Sequence, residues 1–225
     1  MNNLNKKAFG GLLNLLVCVS TLIFLPAWSL GYWQAWIFLF TFFSSSLAIT
    51  LYLMKKDPRL LERRVNAGAA AEAEKSQKVI QGFAAIVFLT TIVCPAVDHR
   101  FSWSPVPTYV VLAGDMLVVL GFFIVFLVFK ENTYTSGIIE VAAEQKVIST
   151  GLYAVVRHPM YAGAMILLLG VPLALGSWWG LLTIVPMTGV IIWRLLCEEK
   201  FLAAKLPGYS GYRDRVRYRL APFVW

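Results

Sequence analysis

Apolar runs of about twenty residues recur along this chain, broken by short polar or basic stretches, and that spacing predicts membrane-crossing helices. The runs cover residues 8–28, 32–54, 79–97, 109–129, 161–175 and 178–196. Two connections are longer and polar, 55–78 and 130–158. In the first, the Ala/Glu/Lys-rich stretch NAGAAAEAEKSQK predicts a helix lying along the membrane surface. Cys94-Pro95 and the polar Asp98, His99 and Arg100 are expected to end the third run. Only Gly176-Ser177 separates the last two runs, which leaves room for nothing but a helical hairpin. The expected fold is therefore all-α: a polytopic membrane protein of about six spans with a C-terminal hairpin and an amphipathic, basic, aromatic tail. The first run could imitate a secretion signal, but it lacks a small-residue cleavage pattern and leads straight into the second. It is read as a retained helix.

Composition agrees, with 59% hydrophobic residues and a mean hydropathy of +0.69 over 225 residues. The formal charge of +8 does not indicate nucleic acid, because the basic residues alternate with the spans instead of forming one patch. With the N-terminus in the cytoplasm, Lys and Arg of the polar connections and of both termini fall inside, and the outer connections carry only Arg100. This predicts a multi-pass protein of a bacterial-type inner or plasma membrane with both termini cytoplasmic. Cys18, Cys94 and Cys197 are scattered, so neither a metal site nor a disulfide framework is indicated.

On the predicted inner side one stretch concentrates unusual residues: GLYAVVRHPMYAG, 151–163. Gly151 permits a turn other residues resist, and Pro159 suits the first turn of a helix. Arg157 and His158 then stand just before a helix N-terminus, whose free N–H groups suit an anion. The same residues would also suit a membrane-edge loop with Arg and His among headgroups. Three further groups fall on this side: Glu140 with Gln145, Lys146, Val147 and Ile148; Arg194 with Glu198 and Glu199; and the tail tyrosines Tyr209 and Tyr212. Arg194 and Glu198, four apart, share a helix face and predict a charged pair. Asp115, in the outer part of the fourth span, is expected to be interfacial or paired between helices. His99 is expected to be solvated, and Phe122, Phe123, Phe126 and Phe129 to face lipid.

GLYAVVRHPMYAG, the hairpin LGVPLALGSWWG, then WRLLCEEKFL and the tail LPGYSGYRDRVRYRLAPF together resemble the isoprenylcysteine carboxyl methyltransferase family and the related phospholipid methyltransferases, over about 132–223. The resemblance implies S-adenosylmethionine held near the cytosolic face by Glu140, Gln145, Lys146, Val147, Ile148, Tyr153, His158, Pro159, Met160, Tyr161 and Glu198. Gln145 stands where some relatives have His. The resemblance also implies that Arg194 faces the acceptor, and Arg194 and Glu198 are the residues expected to be catalytic. Residues 131–225 would form a catalytic core and 1–130 four N-terminal spans with a basic loop.

The acceptor should be a lipophilic molecule or membrane lipid entering from the bilayer. A carboxylate acceptor of the isoprenylcysteine type needs only an arginine to orient it and is the first expectation. A phospholipid amine would need a proton removed, with Glu198 or Glu199 as candidates. A sterol-type NADPH-dependent reductase shares an RHPxYxG-like element but typically carries Asn before the motif tyrosine and an acid soon after. Here those places hold Met160 and Ala162-Gly163-Ala164. A scaffold or small transporter would instead place polar residues at mid-bilayer, which spans one, two, five and six nearly lack.

Overall fold

The computed structural model describes residues 3–66, 72, 74–142 and 145–225, and among these no strand occurs. Helix α1 (Asn3–Ala27) turns back into α2 (Trp33–Lys56), and the short α3 (Pro58–Val65) follows directly. Then come α4 (Lys75–Phe101) and α5 (Thr108–Glu131). After an extended stretch, a 3-10 turn (Gly151–Ala154) leads to α6 (Pro159–Ala174). A second 3-10 turn (Trp179–Thr183) opens into α7 (Ile184–Lys205), and α8 (Tyr209–Arg215) lies in the tail.

Among the described residues, five helical segments are long and apolar enough to cross a bilayer: α1, α2, α4, α5 and the continuous stretch Trp179–Lys205. Helix α6 is apolar but has only 16 residues, or about 24 Å of rise against a hydrocarbon core of about 30 Å. Large apolar side chains such as Leu13, Phe40, Met116 and Val185 point outward. A water-soluble monomer would not leave so many uncovered, and the whole fits a multi-pass integral membrane protein.

Several boundaries differ from the sequence expectation. Helix α4 does not stop at Pro95 but runs through it to Phe101. The proline costs α4 the bond to the Thr91 carbonyl, yet the helix is held by close packing: a Cβ at Gly180 would stand 2.9 Å from the Pro95 ring, and Tyr32 Oη lies 3.4 Å from the Pro95 carbonyl. The last helix extends past 196 to Lys205, carrying Glu198 and Glu199 into a regular turn. The expected surface helix falls largely on residues 67–71 and 73, which lie outside the described residues. Asn66 before them caps α3, and Lys75–Lys78 already belong to α4.

Helix α6 is held by α5 through glycines seven residues apart on each partner. A Cβ on Gly121 would stand 2.6 Å from the Gly163 carbonyl oxygen, and one on Gly170 would stand 2.6 Å from that of Gly114. Such direct backbone approach is how membrane helices associate when lipid removes the hydrophobic drive between them. It fixes the short helix, and with it the first residues of the site.

The hairpin end is tied by polar groups. Ser177 Oγ donates to Asp98, Ser104 Oγ donates to the same carboxylate at 2.6 Å, and Tyr32 Oη donates to the Leu175 carbonyl. His99 is not simply solvated: its ring stacks on Tyr32 with centroids 3.8 Å apart. Asp115 is not interfacial. It is buried with Thr41 of α2 nearby, and among the described residues neither carboxylate oxygen has a partner within hydrogen-bond geometry. Of the four phenylalanines only Phe123 is exposed, while Phe122 packs on Phe42, Phe126 on Tyr52, and Phe129 is buried.

Candidate active site

The sequence forces polar groups together where α5 ends, α6 begins and α7 nears its C-terminus. Gly151 adopts φ +55° and turns the chain beneath α5, where Thr150 Oγ1 donates to Glu131. Pro159 takes the first helical position of α6 and His158 the cap before it, and the His158 side chain makes no cap hydrogen bond to the free N–H groups. On α7, Arg194 and Glu198 share a face while Glu199 points elsewhere.

These pieces enclose a cleft that opens to solvent. Each of the residues expected from sequence lines it. From the extended stretch come Glu140, Gln145, Lys146, Val147 and Ile148; from the motif come Tyr153, His158, Pro159, Met160 and Tyr161; from α7 come Arg194 and Glu198. Leu202, Leu206, Tyr209 and Tyr212 complete the far wall.

The expected Arg194–Glu198 pair does not form. Tyr161 stands between them, donating to Glu198 Oε2 at 2.7 Å and accepting from Arg194 Nε at 3.2 Å. Arg194 makes its ion pair with Glu72, at 2.9 Å, and also donates to the Gly137 carbonyl at 2.9 Å and to Gln77 at 3.3 Å. Glu72 in turn accepts from Gln81 at 2.5 Å and from the Ile139 N–H at 3.2 Å. Nothing in the sequence singled out Glu72 or Gln77, because both sit in the first polar connection, far from every motif.

Glu199 does not face the cleft, so it is no base for an acceptor there. It is buried under two guanidinium groups and an imidazole: Arg157 Nε at 3.2 Å, Arg219 Nε at 3.0 Å and His158 Nε2 at 3.3 Å. The Arg157 contact is an ion pair without hydrogen-bond alignment. Two backbone bonds reinforce the clasp, as the Arg157 N–H donates to the Tyr218 carbonyl at 2.9 Å and the His158 N–H to that of Arg219 at 3.0 Å. The imidazole Nε2 is thereby committed to Glu199, and the tail is fastened across the motif.

Tail and motif also share an aromatic seam. Tyr212 Oη donates to the Tyr153 carbonyl at 2.8 Å, and Asn132 Nδ2 donates to Tyr153 Oη at 3.0 Å. Tyr209 Oη is buried in the cleft wall with no hydrogen-bond partner among the described residues. Burial pushes the Tyr153 phenol up to about 12 and raises Tyr209 and Tyr212 as well. An unfolded tyrosine titrates near 10, so the folded state retains protons that the unfolded chain loses. The stabilisation from this seam is complete below about pH 10 and fades as pH rises through about 12. Alkaline titration followed by tyrosinate absorbance and tail proteolysis should show both changing together in that window.

Fold and cleft together define a multi-pass helical membrane protein with a polar, aromatic-walled site at one end of the bundle. Residues 109–207, from α5 to just before α8, match the model of the phospholipid methyltransferase family. That family belongs with the isoprenylcysteine carboxyl methyltransferases to one group of membrane methyltransferases, so the resemblance carried by the motifs holds over this stretch. The match supports a membrane methyltransferase acting on lipid. No curated protein matches the chain.

Proposed function

We propose that the protein transfers a methyl group from S-adenosylmethionine to a lipid acceptor, in a cleft facing the cytoplasm of a bacterial-type inner or plasma membrane. The observation that carries this reading is the convergence of the α6 N-terminus, Glu198 and the tail tyrosines on one cleft. The donor set suits it. The uncapped N–H groups opening α6 suit a carboxylate. Glu198 suits an ammonium, and tyrosine faces suit a sulfonium. The unpartnered Tyr209 hydroxyl is a buried donor that a bound ligand would satisfy.

When bound, S-adenosylmethionine supplies a methyl carbon on a sulfonium, activated because the departing sulfur becomes neutral. The chain's own part is alignment and exclusion of water, which supply most of the rate in such a displacement. Tyr161 fixes the Glu198 carboxylate, Arg194 fixes Tyr161, and α8 closes the wall away from the bilayer. In this reading residues 131–225 are the catalytic core, while 1–130 anchor it and lend Glu72 and Gln77 to Arg194.

The two acceptors make different demands. A carboxylate of the isoprenylcysteine type, oriented by Arg194, would have to displace Glu72, because the guanidinium is spent on Glu72, Gly137, Gln77 and Tyr161. A phospholipid amine leaves Arg194 undisturbed, but it arrives as an ammonium and would have to give a proton to the Glu198 carboxylate before its nitrogen attacks the methyl carbon. The geometry therefore favours N-methylation of a phospholipid headgroup.

Calorimetry with S-adenosylhomocysteine tests the cofactor, and E198Q should weaken binding by about 10- to 100-fold, as expected for a hydrogen bond to a charged group. Absence of binding to the wild-type protein in both detergent and lipid would remove the proposal.

A further inference from the structure

The outward face of α1 is not uniformly apolar. The helix buries Ala8, Val19, Ile23 and Ala27, the last three against residues of α2 and α4. On the side turned away from these, Gly11, Asn14, Cys18, Thr21 and Leu25 are all exposed. Their spacing of three, four, three and four residues is that of the contact seam in a left-handed coiled coil.

Asn14 lies within one residue of the middle of α1, hence near the centre of the bilayer. Other polar side chains on the outward surfaces of the spans are satisfied within their own helix. Thr21, Ser44 and Thr90 each donate to a carbonyl three or four residues earlier. Asn14 does not. Its Oδ1 accepts from Cys18 Sγ at 3.2 Å, and among the described residues its two Nδ2 hydrogens have no acceptor. Lipid tails offer none, so the exposed amide is costly in a single chain.

We infer that this seam is an interface between two copies of the chain, packed α1 against α1 as a parallel, left-handed pair. Copies in one membrane cross it in the same direction, so a twofold axis along the membrane normal sets Asn14 against Asn14 at one depth. A carboxamide carries both donors and an acceptor, and each can therefore donate to the Oδ1 of the other. One Asn in such a seam also fixes register and the number of strands. Close approach is open to the backbones, because the seam residues below and above Asn14 are small and a Cβ on Gly11 would meet nothing within 4 Å in the single chain. Lys6 and Lys7 stand lower on α1, where their long side chains can extend to water and keep their charges apart. Helix α1 packs on α2, α3 and α4, whereas the cleft is walled by residues between Asn132 and Tyr212. Pairing through α1 thus leaves each copy its own cleft, and it would stand whether or not that cleft binds S-adenosylmethionine.

The test is energy transfer between donor- and acceptor-labelled copies of the full chain in phosphatidylcholine vesicles, followed as added lipid dilutes the protein. The wild type should show saturable transfer. N14L should weaken association about tenfold, the worth of two interhelical hydrogen bonds, and N14Q, which keeps the carboxamide, should recover most of it. L13A, at an exposed position off the seam, should change nothing. Copper-phenanthroline oxidation should link two copies through Cys18, in a C94S/C197S background as in the wild type, and less in N14L. An unchanged thermal midpoint in N14L shows that pairing, and not the fold, was lost. A wild type that stays monomeric at every dilution overturns the inference, as does a dimer that N14L leaves intact or that Cys18 does not link. A Cys18 adduct to a different protein in native membranes, with the reconstituted chain monomeric, overturns it too and gives the face to that partner.

Discussion

Replacing Glu199 by alanine is expected to release the tail from the motif and empty the cleft of affinity for any ligand. The carboxylate is buried and answers Arg157, His158 and Arg219 at once. Removing one partner of a buried pair costs about 3–5 kcal/mol because the charge left behind finds no water. The upper part of that range is not expected, since Arg219 is partly exposed and can turn to solvent. Hydrogen exchange of the amides in 209–225 should rise by orders of magnitude in E199A while α1 and α2 stay protected. E199Q should show a smaller version of the same change. A tail that keeps its protection in E199A would mean that the backbone pairing of Arg157 and His158 suffices and the clasp is redundant.

The second large effect is expected at Gly121. A leucine there would drive its Cβ into the Gly163 carbonyl and the Leu167 backbone, and neither atom can move without moving α6. Overpacking of this kind costs about 1–3 kcal/mol, and the displaced element carries Met160 and Tyr161 at its start. G121L should therefore lower the thermal midpoint in nanodiscs and weaken S-adenosylhomocysteine together. Gly82 is the control, because a Cβ there meets nothing within 4 Å. G82L should change neither quantity, and equal losses in both variants would show that leucine itself, rather than the α5–α6 approach, is responsible.

Much of this architecture is legible from the chain alone because a bilayer constrains sequence so severely: a span must be apolar for most of its length, and few other solutions exist. The motif was legible for a related reason, since Pro159 and Gly151 permit only a turn followed by a helix start. What escaped was pairing at a distance. That Arg194 would choose Glu72 over Glu198 depends on how the first polar connection folds back, which no local spacing encodes. The glycine pairs of α5 and α6 read as ordinary apolar sequence until the two helices are side by side. Pro95 misled for the opposite reason: its local rule was sound, but packing against Gly180 and Tyr32 keeps the helix going past it. Glu198 and Glu199 look equivalent in sequence, and only 100° of helical rotation separates a wall of the cleft from the buried clasp.

The clasp also has a consequence for how the protein is made. Residues 217–219 pair with Arg157 and His158, so the membrane helices can all be inserted while the cleft still lacks a wall. A chain halted before residue 216 would therefore carry Tyr209 and Tyr212 but lack the strap that holds them against the motif.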